Sequence, residues 1–534
     1  MTRENRNRRT PGRTRTAGRG LPTACLLAAL LGAGSIAAAQ SQPATAAGPV
    51  PLGVDTTRIT EPLLPDGRPD YIGHWDAQLS AGVEPEKNFW VALVGVVGDR
   101  AVPEVTRRDC LRRLGVDAAD VRDLYRPASK APAFREAMNI CLSGPWQRGD
   151  YPDVADWVQR NHAAIAALLE ASRRSEYYVP VTTIGTDFRV LGLQITPAQG
   201  LTEISQVTLC RVHLALAENR FDDAVEDLLG LYRIGALLER DPVMTGKIAA
   251  AAFALGSDRL AQQTLEAGDV PVETIRKLLD SLPECTLQNA LAEVLDTGGR
   301  FAVLDTAVAM AADPDAADAL VERLKRGRAQ DPRAEALGQF LSRGLLEKTD
   351  WKSVLVRANE FHDSYVQALQ VPTFSWRKNA LETVDEELRA IQREASILPW
   401  DKGESHLASR QSGVNAPTRW MGAFLIALMR SDLSGPNQLM DRAVTGRQLT
   451  RVAAALALHQ AENGRFPDTL SALTPDYLAE VPRDYFTGRA LAYDLTEGAY
   501  ELYSVGPNGR DDGGAGPEEG GDDVVVYGHS GAPD

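Results

Sequence analysis

The chain has 534 residues, of which 44% are hydrophobic and 6% aromatic, and its formal net charge is −15. A chain of this length is expected to form two or three structural units, and its abundant alanine and leucine favour helix over sheet. The acidic balance argues against a nucleic-acid-binding protein, which needs a basic surface. It is compatible with the binding of cations.

Residues 1–40 have the composition of a targeting segment. A basic stretch at 3–19 is followed by an apolar run at 21–39, which ends in three alanines before a glutamine. This order is typical of a cleaved secretory signal. An uncleaved anchor is the alternative, because the apolar run approaches the length that spans a membrane. We therefore expect an exported protein of the periplasm or outer cell envelope, with a Pro-, Ala- and Gly-rich linker at 41–54.

Four cysteines follow the targeting segment, at Cys110, Cys141, Cys210 and Cys285. An even number of cysteines in an exported protein permits disulfides. No C-x-x-C pair occurs, so the spacing does not indicate a zinc cluster or a thioredoxin-like motif. Three pairings are possible, of which Cys110 with Cys141 closes the shorter loop. Four buried free thiols are the alternative.

Helical periodicity dominates residues 55–432. The pattern predicts one helix at 153–173 and a helix pair at 201–217 and 221–238, which resembles a tetratricopeptide unit. Further helices are predicted at 242–267, from 272 onward, and at 317–327, 332–347, 351–369, 376–395 and 416–430. No fixed period recurs, so we predict an irregular helical array rather than a regular solenoid.

The end of the chain differs in kind. The sequence SGPN favours a second linker at 433–446. Residues 447–528 then predict one helix, ended by Gly464, and three short strands. The predicted fold class is mainly α, an irregular helical array, with a small C-terminal α+β module of one helix on a three-stranded antiparallel sheet. Residues 529–534 are expected to form a tail.

A run of short motifs follows the helix end at Gly464. In chain order these are Phe466-Pro467-Asp468, Val481-Pro482-Arg483-Asp484-Tyr485-Phe486, Tyr500-Glu501-Leu502-Tyr503, Gly506-Pro507-Asn508-Gly509 and Asp522-Asp523-Val524. Together they resemble the globular part of the major pseudopilin of type II secretion systems. In that family the last loop binds a calcium ion that holds the C-terminal strands together, so the resemblance implies a calcium site here.

Two departures from the pseudopilin family are visible. The module lies far downstream of the export signal and its helix begins at the polar pair Arg447-Gln448, so we do not expect it to assemble as a pilin. Asn508 stands where the family has an aspartate. The N-terminal half separately resembles a set of exported helical proteins of planctomycete-type bacteria, through Ile59-Thr60-Glu61-Pro62-Leu63 and Tyr177-Tyr178-Val179-Pro180. That second resemblance implies no activity.

The acidic loop between the last two predicted strands is the best candidate site. Its side-chain oxygens belong to Asn508, Asp511, Asp512, Asp522 and Asp523. Calcium takes six to eight oxygen ligands, and clustered carboxylates repel one another unless a cation offsets their charge. Strands at both ends favour a closed loop, and a closed loop favours calcium. A solvated flexible acidic loop is the alternative, and the spacing is not that of an EF-hand.

No catalytic motif stands out in the sequence. The histidines form neither an H-E-x-x-H motif nor an i, i+4 pair, and no phosphate-binding glycine loop or G-x-S-x-G elbow occurs. His74-Trp75-Asp76 is the only histidine–aspartate neighbourhood of note, and adjacent residues usually face different ways. The scattered tryptophans are expected to pack in the core, with a ligand groove as the minority interpretation.

We therefore expect a non-catalytic exported envelope protein, with a helical interaction domain and a calcium-stabilised pseudopilin-like module. Its partner is expected to be a protein of the cell envelope rather than a nucleic acid. Membrane contact is expected only through a retained N-terminal segment. Two alternatives stay open: an envelope enzyme, hydrolase-like, with its site in a groove of the helical domain, and an accessory of a type II secretion-like machine.

Overall fold

A computed structural model describes residues 49–118, 121–185, 187–194, 199–327, 330–400, 413–429, 433–496, 498–516 and 519–529. The targeting segment, most of the first linker and nearly all of the predicted tail lie outside these residues. All of the described residues belong to one compact unit. Within the described ranges, no helix is long and apolar enough to cross a membrane.

The predicted fold class is confirmed, because the described chain is mainly helical with a small antiparallel sheet near its end. The first helices are α1 Tyr71–Ser80, α2 Phe89–Val97, α3 Arg107–Leu114, α4 Pro132–Ser143, α5 Pro152–Arg160, α6 His162–Ala171, α7 Gln199–Ala217, α8 Phe221–Leu238 and α9 Met244–Glu266. They are followed by α10 Val272–Ser281, α11 Ala290–Val294, α12 Arg300–Ala312, α13 Pro314–Gly327, α14 Pro332–Ser342, α15 Trp351–Leu369, α16 Phe374–Ser396, α17 Ala416–Met429 and α18 Ser434–Asn463. The strands are β1 Thr182–Thr183, β2 Leu193–Gln194, β3 Ala492–Thr496, β4 Ala499–Ser504 and β5 Val524–His529.

Helices with strong local signals have their predicted bounds. Both α8 and α15 begin and end where the periodicity places them. At the start of α15 the side chain of Asp350 accepts a hydrogen bond from the main-chain N–H of Lys352 at 3.1 Å. This is an N-cap, which satisfies a donor that the helix itself leaves unpaired.

The helix predicted at 153–173 is instead two helices, α5 and α6, which meet at Asn161. The Asn161 side chain accepts a hydrogen bond from the main-chain N–H of Arg126 at 2.8 Å and donates one to its carbonyl at 3.0 Å. The bend at Asn161 accompanies these bonds to a segment 35 residues away. A pattern of apolar residues along one helix contains no information about such a partner.

The predicted linker at 433–446 is also corrected, because residues 434–446 belong to the single helix α18 and Leu433 is its N-cap. Pro436 lies in the first turn, where its missing N–H costs no hydrogen bond. Met440, Ala443 and Val444 are buried in the helical core. The helix therefore runs from the helical body into the C-terminal sheet, and residues 433–446 form no flexible boundary. Gly464 ends α18 in the left-handed conformation, as predicted.

Sheet β3-β4-β5 is antiparallel and packs on the second half of α18. Tyr493 of β3 pairs with Leu502 of β4, and Leu502 pairs with Val526 of β5. Leu502 and Val526 are buried together with Leu456 of α18 in a core of their own. This packing fixes both ends of the acidic loop, because the loop leaves β4 and returns to β5.

All four cysteines in the described chain are buried and free, so the favoured Cys110–Cys141 pairing is not formed. Cys110 lies near the hydroxyls of Thr106 and Thr182, at 3.6 and 3.8 Å. Burial raises the pKa of Cys141 to about 11. The thiols occupy the positions of small core side chains, which was the alternative interpretation of the sequence.

Candidate metal centre

The acidic loop spans residues 505–523 and is closed at its base by the sheet. Ser504, the last residue of β4, pairs with Val524, the first residue of β5. The buried carboxylate of Asp484 adds a second attachment, because it accepts hydrogen bonds from the main-chain N–H of Val505 at 3.1 Å and from that of Thr487 at 2.7 Å. Sequence reasoning did not assign Asp484 to the site, although it lies in the V-P-R-D-Y-F motif.

Close approach of the two ends of the loop requires a glycine at position 506. Gly506 has φ +68°, and a Cβ placed there would lie 2.3 Å from the carbonyl oxygen of Asp522. A side chain would therefore be strained in conformation and would also clash with main chain. Gly506 thus lets the start of the loop lie directly against its end, where the two successive aspartates are.

Three carboxylates converge in this loop. One oxygen of each of Asp512, Asp522 and Asp523 lies within 4.8 Å of the others. Asp522 Oδ2 accepts a hydrogen bond from the main-chain N–H of Asn508 at 2.8 Å, and Asp523 Oδ2 accepts one from that of Gly514 at 2.9 Å. These bonds hold the two carboxylates in place within the loop.

Two oxygens of these carboxylates are buried and unpaired. Asp522 Oδ1 and Asp523 Oδ1 have no hydrogen-bond partner of ordinary geometry within the ranges that the structure describes. Asp523 is only 2% exposed, which is unusual for a carboxylate without a cationic partner. Such a group costs free energy unless a positive charge approaches it.

Burial raises the pKa of Asp523 above its ordinary value, and the neighbouring charges of Asp512 and Asp511 act in the same direction. The N–H groups of Gly514 and Asp512 act in the opposite direction. A raised carboxyl pKa means that the ionised form of Asp523 is disfavoured by its surroundings. A bound cation would reverse this balance, because it neutralises all three groups at once.

The structure divides the five predicted ligands into two groups. Asp512, Asp522 and Asp523 converge. Asp511 lies apart from them, because its Oδ1 accepts hydrogen bonds from the Tyr503 hydroxyl at 3.0 Å and from the Gly513 N–H at 2.9 Å. It attaches the loop to β4.

The Asn508 side chain takes a supporting position beside the cluster. Its amide donates a hydrogen bond to Asp512 at 2.8 Å, and its carbonyl accepts one from the Arg510 N–H. Asn508 therefore orients one of the three carboxylates.

This donor set suits a hard cation. Carboxylate oxygens are the ligands that calcium and magnesium prefer, whereas zinc and copper favour sites that contain nitrogen or sulfur. Three carboxylates supply between three and six oxygens, depending on whether each binds through one oxygen or two. Asp512 is exposed, so water has access to the side of the cluster where ligands would still be needed.

The histidines of the described chain show no comparable convergence. Buried His213 contacts the carbonyl oxygen of Cys141 at 2.9 Å, and burial lowers its pKa. His74 contacts the Glu61 carbonyl, whereas Asp76 accepts hydrogen bonds from Tyr178 and Val181. His74 and Asp76 thus have separate hydrogen-bond partners, as the geometry of neighbouring residues suggested.

No family model, curated protein or solved structure matches this chain. The pseudopilin resemblance therefore depends on the C-terminal motifs alone.

Proposed function

We propose that this chain is a non-catalytic exported protein of the cell envelope, in which a helical body binds a protein partner and the C-terminal sheet is stabilised by calcium. The observation that carries the calcium site is the convergence of the buried Asp523 carboxylate with those of Asp512 and Asp522, while Asp523 Oδ1 has no hydrogen-bond partner among the described residues. The motif resemblance to pseudopilins and the basic-then-apolar N-terminal segment support export to an envelope compartment.

Calcium would act here as a staple between strands. Asp522 and Asp523 directly precede β5, and Asp512 lies in the middle of the loop that leaves β4. An ion bound by all three would join the middle of the loop to the start of β5 and remove the repulsion among the carboxylates. Because β5 packs on α18, the ion would also stabilise the attachment of the sheet to the helical body.

The partner-binding role is supported by an exposed aromatic side chain on the helical body. Trp376, in the first turn of α16, is 72% exposed. Tryptophan is among the residues that most often dominate the binding energy of protein interfaces. We place the contact with an envelope partner on this end of α16.

The calcium site is tested by thermal melting of the full chain, after chelation and then with added calcium. A ligand present at 100 times its dissociation constant stabilises the folded state by about 2.7 kcal/mol, so we expect a clear rise in Tm. The variant Asp523→Asn should be no less stable than the native chain without calcium, since it removes a buried charge. The same variant should lose the rise in Tm that calcium causes.

The control is Asp280→Asn, which removes an exposed carboxylate of α10 far along the chain from the loop. It should keep the full calcium response. An unchanged Tm at millimolar calcium would contradict the staple, and so would an equal response of Asp523→Asn and the control. Magnesium at the same concentration should act more weakly, because it keeps its water shell and needs stricter geometry.

A further inference from the structure

A groove of about 480 Å³ lies beside the acidic loop, where α16 meets the start of α18. Its size falls within the usual range for small-molecule sites. Part of its wall is aromatic, formed by Tyr365, Phe374 and Phe486. The rings of Phe374 and Phe486 meet edge to face, with their centroids 4.7 Å apart.

Two lining residues of the groove, Arg377 and Asp441, belong to a polar network that also includes Tyr485. Buried Arg377 donates a hydrogen bond to Asp441 at 3.0 Å and another to the Tyr485 hydroxyl at 2.6 Å, and Tyr485 in turn donates to Asp441 at 2.7 Å. The guanidinium charge is thus neutralised by Asp441. It is not available to recognise an anionic ligand.

The remaining charges of the groove are mainly negative. Glu382 and Asp385 of α16 and Asp522 of the acidic loop line it, against the single further cation Lys378 among the described lining residues. The Arg377 guanidinium already lies 5.5 Å from the centre of the Phe374 ring. The rings therefore suit the apolar part of a ligand, and the carboxylates suit a positive charge. An anion would instead be repelled by the carboxylates of Glu382 and Asp522.

We propose that this groove binds an organic cation, an ammonium or guanidinium group carried on an apolar body. The apolar body lies against Phe374 and Phe486, and the cationic group lies between Glu382 and Asp522. A free amine and a basic side chain of a polypeptide share this chemistry.

One consequence rests on the proposed calcium site. Asp522 belongs both to the groove and to the carboxylate cluster. Calcium bound at the cluster neutralises the negative charge of Asp522, so that this charge no longer attracts a cation in the groove. Calcium and the organic cation therefore weaken each other's binding, by the same factor in both directions.

The test uses three molecules with one apolar body: 4-phenylbutylamine, 4-phenylbutanol and 4-phenylbutyrate. Binding to the full calcium-free chain is measured by titration calorimetry. We expect the amine to bind at least about tenfold more tightly than the other two, a ratio that corresponds to ~1.4 kcal/mol. Equal or tighter binding of the carboxylate would overturn the proposal, as would no binding of the amine at millimolar concentration.

Two variants locate the amine. Glu382→Gln should weaken binding severalfold, whereas Glu387→Gln, a matched change at an exposed position of the same helix, should leave it unchanged. Equal effects of the two variants would place the amine elsewhere and overturn the assignment.

The amide of phenylalanyl-lysine, tested in the same way, distinguishes the sources of the cation. Binding as tight as that of the amine indicates a polypeptide side chain, and much weaker binding indicates a free amine.

The two proposals can fail separately. If calcium raises the Tm but the amine does not bind, the groove inference is wrong and the staple stands. If the amine binds but calcium has no effect on Tm, the groove inference stands and the staple is wrong. If both bind, we expect saturating calcium to weaken amine binding, and independent binding would overturn the shared role of Asp522.

Discussion

Replacing Arg447 by leucine should destabilise the folded chain by weakening the attachment of α18 to α9. The Arg447 side chain is 5% exposed and donates a hydrogen bond to Asp258 of α9 at 2.8 Å. It also donates to the carbonyl of Pro283 at 2.7 Å, and its guanidinium lies 4.3 Å from the centre of the Tyr232 ring. Asp258 keeps a hydrogen bond from the Tyr232 hydroxyl at 2.8 Å, which is not enough to balance a buried charge.

The expected loss of folding stability comes from Asp258, which would stay buried without its cationic partner. Removing one member of a buried ion pair typically costs about 3–5 kcal/mol, because the other charge stays buried without compensation. Burial already raises the pKa of Asp258, and Arg447 acts to lower it. Without Arg447 that opposing effect is gone, so the damage should be greatest at neutral pH and smaller in acid, where Asp258 is protonated.

The assay is urea unfolding monitored by circular dichroism, with a matched control on the same helix. Arg451, one turn later, is 27% exposed and pairs with Glu284, which is 82% exposed. Arg451→Leu should cost no more than about 1 kcal/mol. The double variant Arg447→Leu/Asp258→Leu should be more stable than the sum of its single effects predicts. An Arg447→Leu loss no larger than that of Arg451→Leu would refute the reasoning.

Three further predictions concern the loop and the thiols. Gly506→Ala should destabilise the chain and abolish its response to calcium in thermal melts, because a Cβ would displace the main chain at Asp522; an unaltered calcium response would contradict the close approach. Because the pKa of Asp523 is raised in the folded chain, its ionised carboxylate destabilises the calcium-free fold. This destabilisation disappears as pH falls towards the unfolded pKa of about 3.9. The Tm of the calcium-free chain should therefore rise relative to that of Asp523→Asn between neutral pH and about pH 4, and a constant difference would exclude titration of this group. Burial raises the pKa of Cys141 to about 11 and that of Cys285 to about 12, so a thiol reagent at pH 8 should react slowly with the native chain and rapidly in urea; fast native labelling of these residues, located by mass spectrometry, would show that they are not enclosed.

Local sequence signals were sufficient for many elements. The apolar periodicity of α8 and α15 gave their bounds, and the N-cap Asp350 marks the start of α15. The strands β3, β4 and β5 followed from alternation and from the glycine-rich loop between them. The three converging aspartates were among the predicted ligands, since both strand ends were visible in the sequence.

Other features depended on contacts between distant residues. The break at Asn161 accompanies its hydrogen bonds to Arg126. The helical state of 433–446 is favoured by the burial of Met440, by the Arg377–Asp441 pair and by the tolerance of the first turn for Pro436. Sequence reasoning took the SGPN stretch at 434–437 as a sign of a linker, because a sequence does not show that Asp441 has a buried partner.

The acidic loop shows the same division. Its composition alone determined that carboxylates and glycines would be concentrated between two strands. Only the tertiary structure decided that Asp511 turns towards Tyr503 while Asp523 is buried beside Asp512. The physical reason is that the orientation of each carboxylate is set by the N–H and hydroxyl donors around it, and these are positioned by the packing of the sheet on α18.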